Sequence, residues 1–159
     1  MLNTTIELRE VTDADFAVFF ENQKDPEASR MAAFTAKDPE DRQAFENHMR
    51  RILADPTCTM KTIVAQGQVV GSVGSYQRKG ETDVTYWIGR QFWGQGIATQ
   101  ALKAFLKDDP VRPIFASAAR DNAASIRVLE KCGFKEIGRD KGFANARGEE
   151  IEEVLLRLD

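Results

Sequence analysis

The stretch FWGQGIATQAL, Phe92 to Leu102, sets two glycines directly ahead of residues with helical spacing, and its reading decides the fold. Backbone N–H groups left unpaired at a helix start, with the positive end of the helix dipole, make a ready anion site. Gly94 and Gly96 flank Gln95, and Ile97, Ala98 and Thr99 open the helix, so consecutive N–H groups could wrap a pyrophosphate. A tight strand-to-helix turn would need the same glycines for geometry alone. A nucleotide-binding P-loop would end in Gly-Lys-Ser or Gly-Lys-Thr, whereas this turn ends in Gly-Ile-Ala-Thr. A Rossmann fingerprint would sit in a parallel unit, and the strands before this turn read as antiparallel.

Outward from the turn, the chain alternates strands and helices. TIELREV has the period of a strand, and TDADFAVFFENQ begins with Thr12 as a capping residue and continues as a helix. In DPEDRQAFENHMRRIL, Phe45, Met49, Ile52 and Leu53 fall at i, i+4, i+7 and i+8, giving a second surface helix with one apolar face. Its His48 reads as a surface residue. MKTIVAQGQVVGSVGSY divides into two strands across Gln66-Gly67-Gln68, and ETDVTYWIG follows as a third after RKG, an antiparallel meander. Beyond the glycine turn, Ala98, Ala101, Leu102 and Phe105 keep helical spacing, and PIFASAA is a short strand. DNAASIRVLEKCGF is a helix capped by Asn122 or Asp121 and stopped by Gly133, and FKEIGRD and EEIEEVLLRL close the chain as strands.

Composition bounds the function. The 159 residues, 42% hydrophobic and 30% charged, fit a single domain over 1–159 with one core. A net charge of -3 disfavours a general nucleic-acid binder. No apolar run approaches the ~20 residues that span a bilayer, and the N-terminus is too polar for a signal peptide, so a cytoplasmic protein without membrane contact is expected. Cys58 and Cys132 stand alone, which favours free thiols and no metal.

Two motifs carry a family resemblance. Trp93-Gly94-Gln95-Gly96-Ile97-Ala98 resembles the Gln/Arg-x-x-Gly-x-Gly/Ala motif of the GNAT acyl-CoA N-acyltransferases, with Trp93 at the first position; the register Gln91-x-x-Gly94-x-Gly96 is a second way to align it. NAASIRVLEKCGF, Asn122 to Phe134, resembles the NxxSxRVLEKxGF signature of the branch that includes ribosomal-protein N-terminal acetyltransferases. The resemblance implies an α/β (α+β) fold: a mixed, mostly antiparallel sheet with helices on both faces, splayed between its fourth and fifth strands. It implies transfer of acetyl from acetyl-CoA to an amine, a protein N-terminus or a small molecule, by a monomer or homodimer. The pyrophosphate would lie on Trp93 to Thr99, and the pantetheine arm between the strands ending near Ile88 and Ser117.

Acyl transfer to an amine needs a neutral amine, a polarised carbonyl and a proton for the departing thiolate. Alternation puts Asp83, Thr85 and Trp87 on one strand face, and in the resembled branch a carboxylate commonly stands at Asp83's position, where it could accept the ammonium proton directly or through water; a solvated strand-end charge would look the same. The tyrosine that many relatives use as acid is replaced by Leu129. Ser125 shares a helix face with Val128, Leu129 and Cys132, and in the branch this serine is a favoured donor to the CoA sulfur; as an N3 residue it could equally bond its own helix start. Asn122 has a cap role and a family role on the pantetheine arm. Tyr86 and Trp87 read as core or cleft-lining aromatics. Arg90, Arg127 and Lys131 could balance phosphates. The missing tyrosine motivates an alternative: a catalytically inactive acyl-CoA-binding sensor or scaffold.

Overall fold

The computed structural model describes residues 5–159; the first four, part of the polar stretch read above as unlike a leader, lie outside the described residues. The elements run β1 (Ile6–Glu10), α1 (Asp15–Lys24), α2 (Pro26–Ala32), α3 (Arg42–Ala54), β2 (Thr59–Ala65), β3 (Gln68–Arg78), β4 (Glu81–Ile88), a 3₁₀ turn (Arg90–Phe92), α4 (Ile97–Asp108), β5 (Ile114–Ala119), α5 (Ala123–Lys131), β6 (Lys135–Ala144) and β7 (Glu149–Leu158). They build one seven-stranded sheet in the order β1-β2-β3-β4-β5-β7-β6. Every neighbouring pair is antiparallel except β4 and β5, which run parallel and meet at a single pair, Asp83 with Phe115. The fold is thus the mixed sheet expected, splayed where expected.

Alternation sorts the side chains to two faces. On one, Val73, Val84, Ile88, Ala116, Val154 and Leu156 pack under α4 and α5, with Ala101, Leu102 and Phe105 of α4 and Leu129 of α5 closing the core. Each large apolar side chain buried there contributes roughly 1.5–3 kcal/mol. On the other face, Phe16, Phe19 and Phe20 of α1 pack with Phe45 and Met49 of α3. A smaller cluster of Ala33, Ala119 and Ala144 packs with Ile151.

Three local readings change. Thr12 does not cap α1: its own N–H donates to the Asp15 carboxylate at 2.9 Å, and the helix start has no side-chain cap. Asp15 is buried and also takes two hydrogen bonds from Arg9 and one from Thr62, so the polar group at this corner is a carboxylate that ties β1 and β2 to α1. The apolar face of α3 stops at Ile52, because Leu53 is 43% exposed; the helix ends one residue later and runs out of sheet to cover. Helix α2 is an addition, making α3 the third helix. Asp25 accepts from Glu27 N at its start and Pro26 takes the first helical position, where a missing N–H costs nothing.

Candidate functional site

The glycine turn is assembled by three contacts. The carbonyl of Val70, beside the bulge in the β2–β3 ladder, accepts both Gly89 N–H at 2.8 Å and Asn22 Nδ2 at 3.4 Å, so α1 and the residue after β4 meet at one atom of β3. Trp93 Nε1 donates to Ile88 O at 2.9 Å. Arg90 reaches Asp25 at 3.3 Å. The chain then passes through Gly94 (φ +78) and Gly96 (φ +76), both left-handed and both with open space where a Cβ would stand. Gly96 is the N-cap of α4, and no side chain among the described residues caps that helix. Gln100 N bonds Gly96 O, so the N–H groups of Ile97, Ala98 and Thr99 point out of the helix end without intrahelical acceptors.

That end opens into a cleft of about 850 Å³, which follows the splay between β4 and β5 from one sheet face to the other. Of the residues nominated from sequence, Ile88, Trp93, Gly94, Gly96, Ile97, Ala98, Thr99, Asn122 and Ser125 line it, as do Ser117, Arg127 and Lys131. Gln95 and Asp83 are not on its wall. The uncapped helix end fits a pyrophosphate, and the gap between β4 and β5 fits a narrow arm leading from it. Among the described residues no group of three or more His, Cys, Asp or Glu could hold a metal ion.

Helix α5 supplies the polar groups at the middle of the cleft. Asn122 Oδ1 accepts from Ser125 N at 3.2 Å and caps the helix, while Nδ2 donates to Met31 O of α2 at 3.1 Å. The Ser125 hydroxyl does not turn back on its helix; it lies 2.7 Å from the hydroxyl of Tyr86 on β4. Burial pushes the Tyr86 phenol up to about 12, against the opposing pull of the Ser125 hydrogen bond, so it is neutral at any working pH. Ser125 is the acceptor the structure gives the Tyr86 proton, and a buried donor is costly to leave unmade. Either hydroxyl can be the donor of this pair; with Tyr86 donating, the serine's own hydrogen is free to turn into the cleft. Sequence reading left Tyr86 as a core or cleft-lining aromatic and gave it no part at Ser125; the signal was its alternation with Val84 and Ile88, which puts it on the face covered by α5.

The opposite end of the cleft is walled by α2, the segment after it, and the β6–β7 hairpin. The segment from Arg30 to Lys37 carries no motif, yet its carbonyls are tied down: Arg147 Nε bonds Arg30 O at 2.7 Å, Ala146 N bonds Ala33 O at 3.2 Å and Asn145 Nδ2 bonds Thr35 O at 2.8 Å. Arg147 also forms a two-pronged pair with Asp121, the residue before the α5 cap. Here the wall is lined by Met31, Phe34, Tyr76, Arg78 and Glu153. Asp83 is 7% exposed behind it, 4.0 Å from Arg78, and burial raises its carboxyl; Arg78 opposes this and Glu81 adds to it.

The sequence matches the acetyltransferase (GNAT) domain family over residues 5–135. The uncharacterized N-acetyltransferase p20 of Bacillus licheniformis is 26% identical over 98 residues, 57% of this chain and 55% of its own length, so the match spans about half of that protein. Among solved structures, Mycobacterium smegmatis RimJ in complex with CoA-disulfide superposes with a TM-score of 0.81 at 21% identity, over 96% of this chain and 81% of that one. The ribosomal-protein-alanine N-acetyltransferase of Brucella melitensis gives 0.80 at 19% identity, over 96% and 98%. At these identities the structural likeness is one of fold. The match over most of the chain, on a sheet splayed where the glycine turn meets it, places the chain in the GNAT acetyltransferase family.

Proposed function

We propose that the chain, acting as one domain over residues 1–159, transfers an acetyl group from acetyl-CoA to a primary amine of a small molecule or protein N-terminus. The observation that carries this is the uncapped start of α4, with Gly94 and Gly96 both left-handed, opening into a cleft that reaches the Ser125 hydroxyl. Acetyl-CoA supplies the thioester when bound. The N–H groups of Ile97, Ala98 and Thr99 would hold its pyrophosphate, with Arg127 and Lys131 offsetting charge at the rim. Ile88 and Asn122 would flank the pantetheine arm; Asn122 caps the helix with its oxygen and gives one amide hydrogen to Met31, which leaves the other free. Ser125, when it accepts from Tyr86, has its hydrogen available to the sulfur as the thiolate departs. Asp83, off the wall, can accept a proton only through water.

The structural likeness to RimJ in complex with CoA-disulfide supports the choice of cosubstrate. The absence of any helix among the described residues long and apolar enough to cross a membrane is compatible with the cytoplasmic setting we propose. A second reading, an acyl-CoA sensor without turnover, is favoured by Leu129, which is buried in the core where many relatives carry a tyrosine acid.

The test is thiol release from acetyl-CoA against a panel of primary amines, with product mass measured. Ser125→Ala should keep CoA affinity and lose turnover by roughly 10²- to 10⁴-fold, the range of general acid assistance. A loss under about threefold removes Ser125 from that role. Tight binding of acetyl-CoA by the wild type without amine-dependent thiol release establishes the sensor.

A further inference from the structure

Strand β7 carries four glutamates, and strand register separates them. Val154 and Leu156 face the core under α4 and α5, which turns Glu153 to the opposite face, the one Asp83 occupies. Glu153 pairs with Ala119 on β5, whereas Asp83 pairs with Phe115 at the one point where β4 and β5 touch. From Phe115 to Ala119 is four residues along β5, toward the end where the two strands have parted. Asp83 thus sits at the closed end of the splay and Glu153 toward its open end.

Glu153 is 7% exposed, and what remains of its surface lies on the cleft wall. Its neighbour Glu152 is paired with Arg120 at 2.9 Å, whereas Glu153 forms no ion pair among the described residues and its carboxylate oxygens keep contact with the cleft. A carboxylate that meets water only through the cleft gains from a cation that enters there. The groups facing it are Arg78 from β3, which favours its charged form, and Asp140 on β6 and Asp83 on β4, which oppose it; Asp140 stands directly across the ladder. Tyr76 completes this end of the wall. Burial is the largest influence and raises the Glu153 carboxyl.

We infer that Glu153 is the carboxylate that receives the acceptor: it pairs with the incoming primary ammonium at the open end of the splay and takes its proton. Asp83 is a positioning residue that holds Arg78 beside it. This rests on the acetyl-transfer reading above. Loss of one proton to Glu153 frees the nitrogen lone pair, which forms the bond to the acetyl carbon as the carbon–sulfur bond breaks. Of the two protons the ammonium sheds, one ends on the sulfur and the other leaves through Glu153 to solvent.

The experiment compares Glu153→Gln, Glu153→Asp and Asp83→Asn with the wild type for thiol release from acetyl-CoA. Butylamine, 1,4-diaminobutane and alaninamide serve as acceptors, kcat and KM are measured across pH, and CoA affinity and melting are recorded alongside. Glu153→Gln should leave CoA affinity within twofold, raise the amine KM and lower kcat/KM at neutral pH by about 10²-fold, with recovery as pH rises and the free amine forms unaided. Glu153→Asp should recover part of the rate, and Asp83→Asn should cost less at every pH. Wild-type rates from Glu153→Gln, or a larger and pH-dependent loss from Asp83→Asn, overturn the assignment. Absence of thiol release by the wild type with every amine overturns the acetyl-transfer reading itself, and the assignment with it.

Discussion

Gly96→Val separates the two uses of the glycine turn. Gly96 has φ +76, a left-handed conformation that costs an L-residue about 1–2 kcal/mol. A Cβ built there meets no atom within 4 Å, so the penalty is purely one of backbone, and Gly96 lines the cleft at the start of α4, where the added side chain would stand. Gly67, in the β2–β3 turn, is the matched control: its φ is +78, its Cβ position is equally open, and it is not on the cleft wall. Both variants should lose about 1–2 kcal/mol, a drop in Tm of roughly 2–8 °C for a chain of this size. Only Gly96→Val should lose CoA affinity. Hydrogen bonds to a charged group are worth about 1.5–3 kcal/mol each, so displacing even one phosphate contact weakens binding roughly tenfold to a hundredfold. Calorimetric titration with CoA, beside thermal melting, reads both quantities. Equal CoA affinity in the two variants would refute the anion cradle and leave the glycines as turn formers alone.

Tyr86→Phe keeps the ring that packs on α5 and removes only the hydroxyl. It should raise the thiol pKa of bound CoA by roughly half a unit or more, read from ultraviolet thiolate absorbance, and should add nothing when combined with Ser125→Ala, because its effect passes through that serine. Additive losses would mean that the two hydroxyls act separately. At Asp15, burial disfavours the charge, but the Arg9 pair, the Thr12 N–H and the Thr62 hydroxyl outweigh it and hold the carboxyl at about 2, against 3.8 in the unfolded chain. A depressed folded value contributes stability that is present above 3.8 and lost as pH falls toward about 2. The difference corresponds to about 2 kcal/mol. Asp15→Asn should therefore be destabilised by that order at pH 7 in urea, with the gap to wild type closing below pH 3; a constant gap across pH would remove the charge from the account.

The sheet and the glycine-turn end of the cleft were legible because they rest on local signals. Gln66-Gly67 and the Lys79-Gly80 turn, both left-handed, announce their hairpins, and the spacing of Ala101, Leu102 and Phe105 announces α4. What escaped depended on partners distant in sequence. Helix α2 buries only Ala28 and Ser29, too small to mark an apolar stripe, although Asp25-Pro26 was a start signal in plain view. The Arg30–Lys37 segment is held by Asn145, Ala146 and Arg147, more than a hundred residues away in the chain. Glu153 is one glutamate in Glu-Glu-Ile-Glu-Glu, and only its register against Ala119 distinguishes it from the rest. Ser125 could be nominated from its motif, but its hydrogen-bond partner came from the strand alternation of Tyr86.

The lone pairing of Asp83 with Phe115 has a mechanical consequence. All other ladders in the sheet are held by five or more residue pairs, so the β1–β4 leaf and the β5-β7-β6 leaf are each stiff. Between them, one pair of residues acts as a pivot, and the spacing of the leaves beyond it is set by α4 and α5 packing across the seam. The width of the gap is a coordinate that no ladder fixes. It can change without breaking a ladder hydrogen bond, and an occupant wedged between Ile88 and Ser117 would set it.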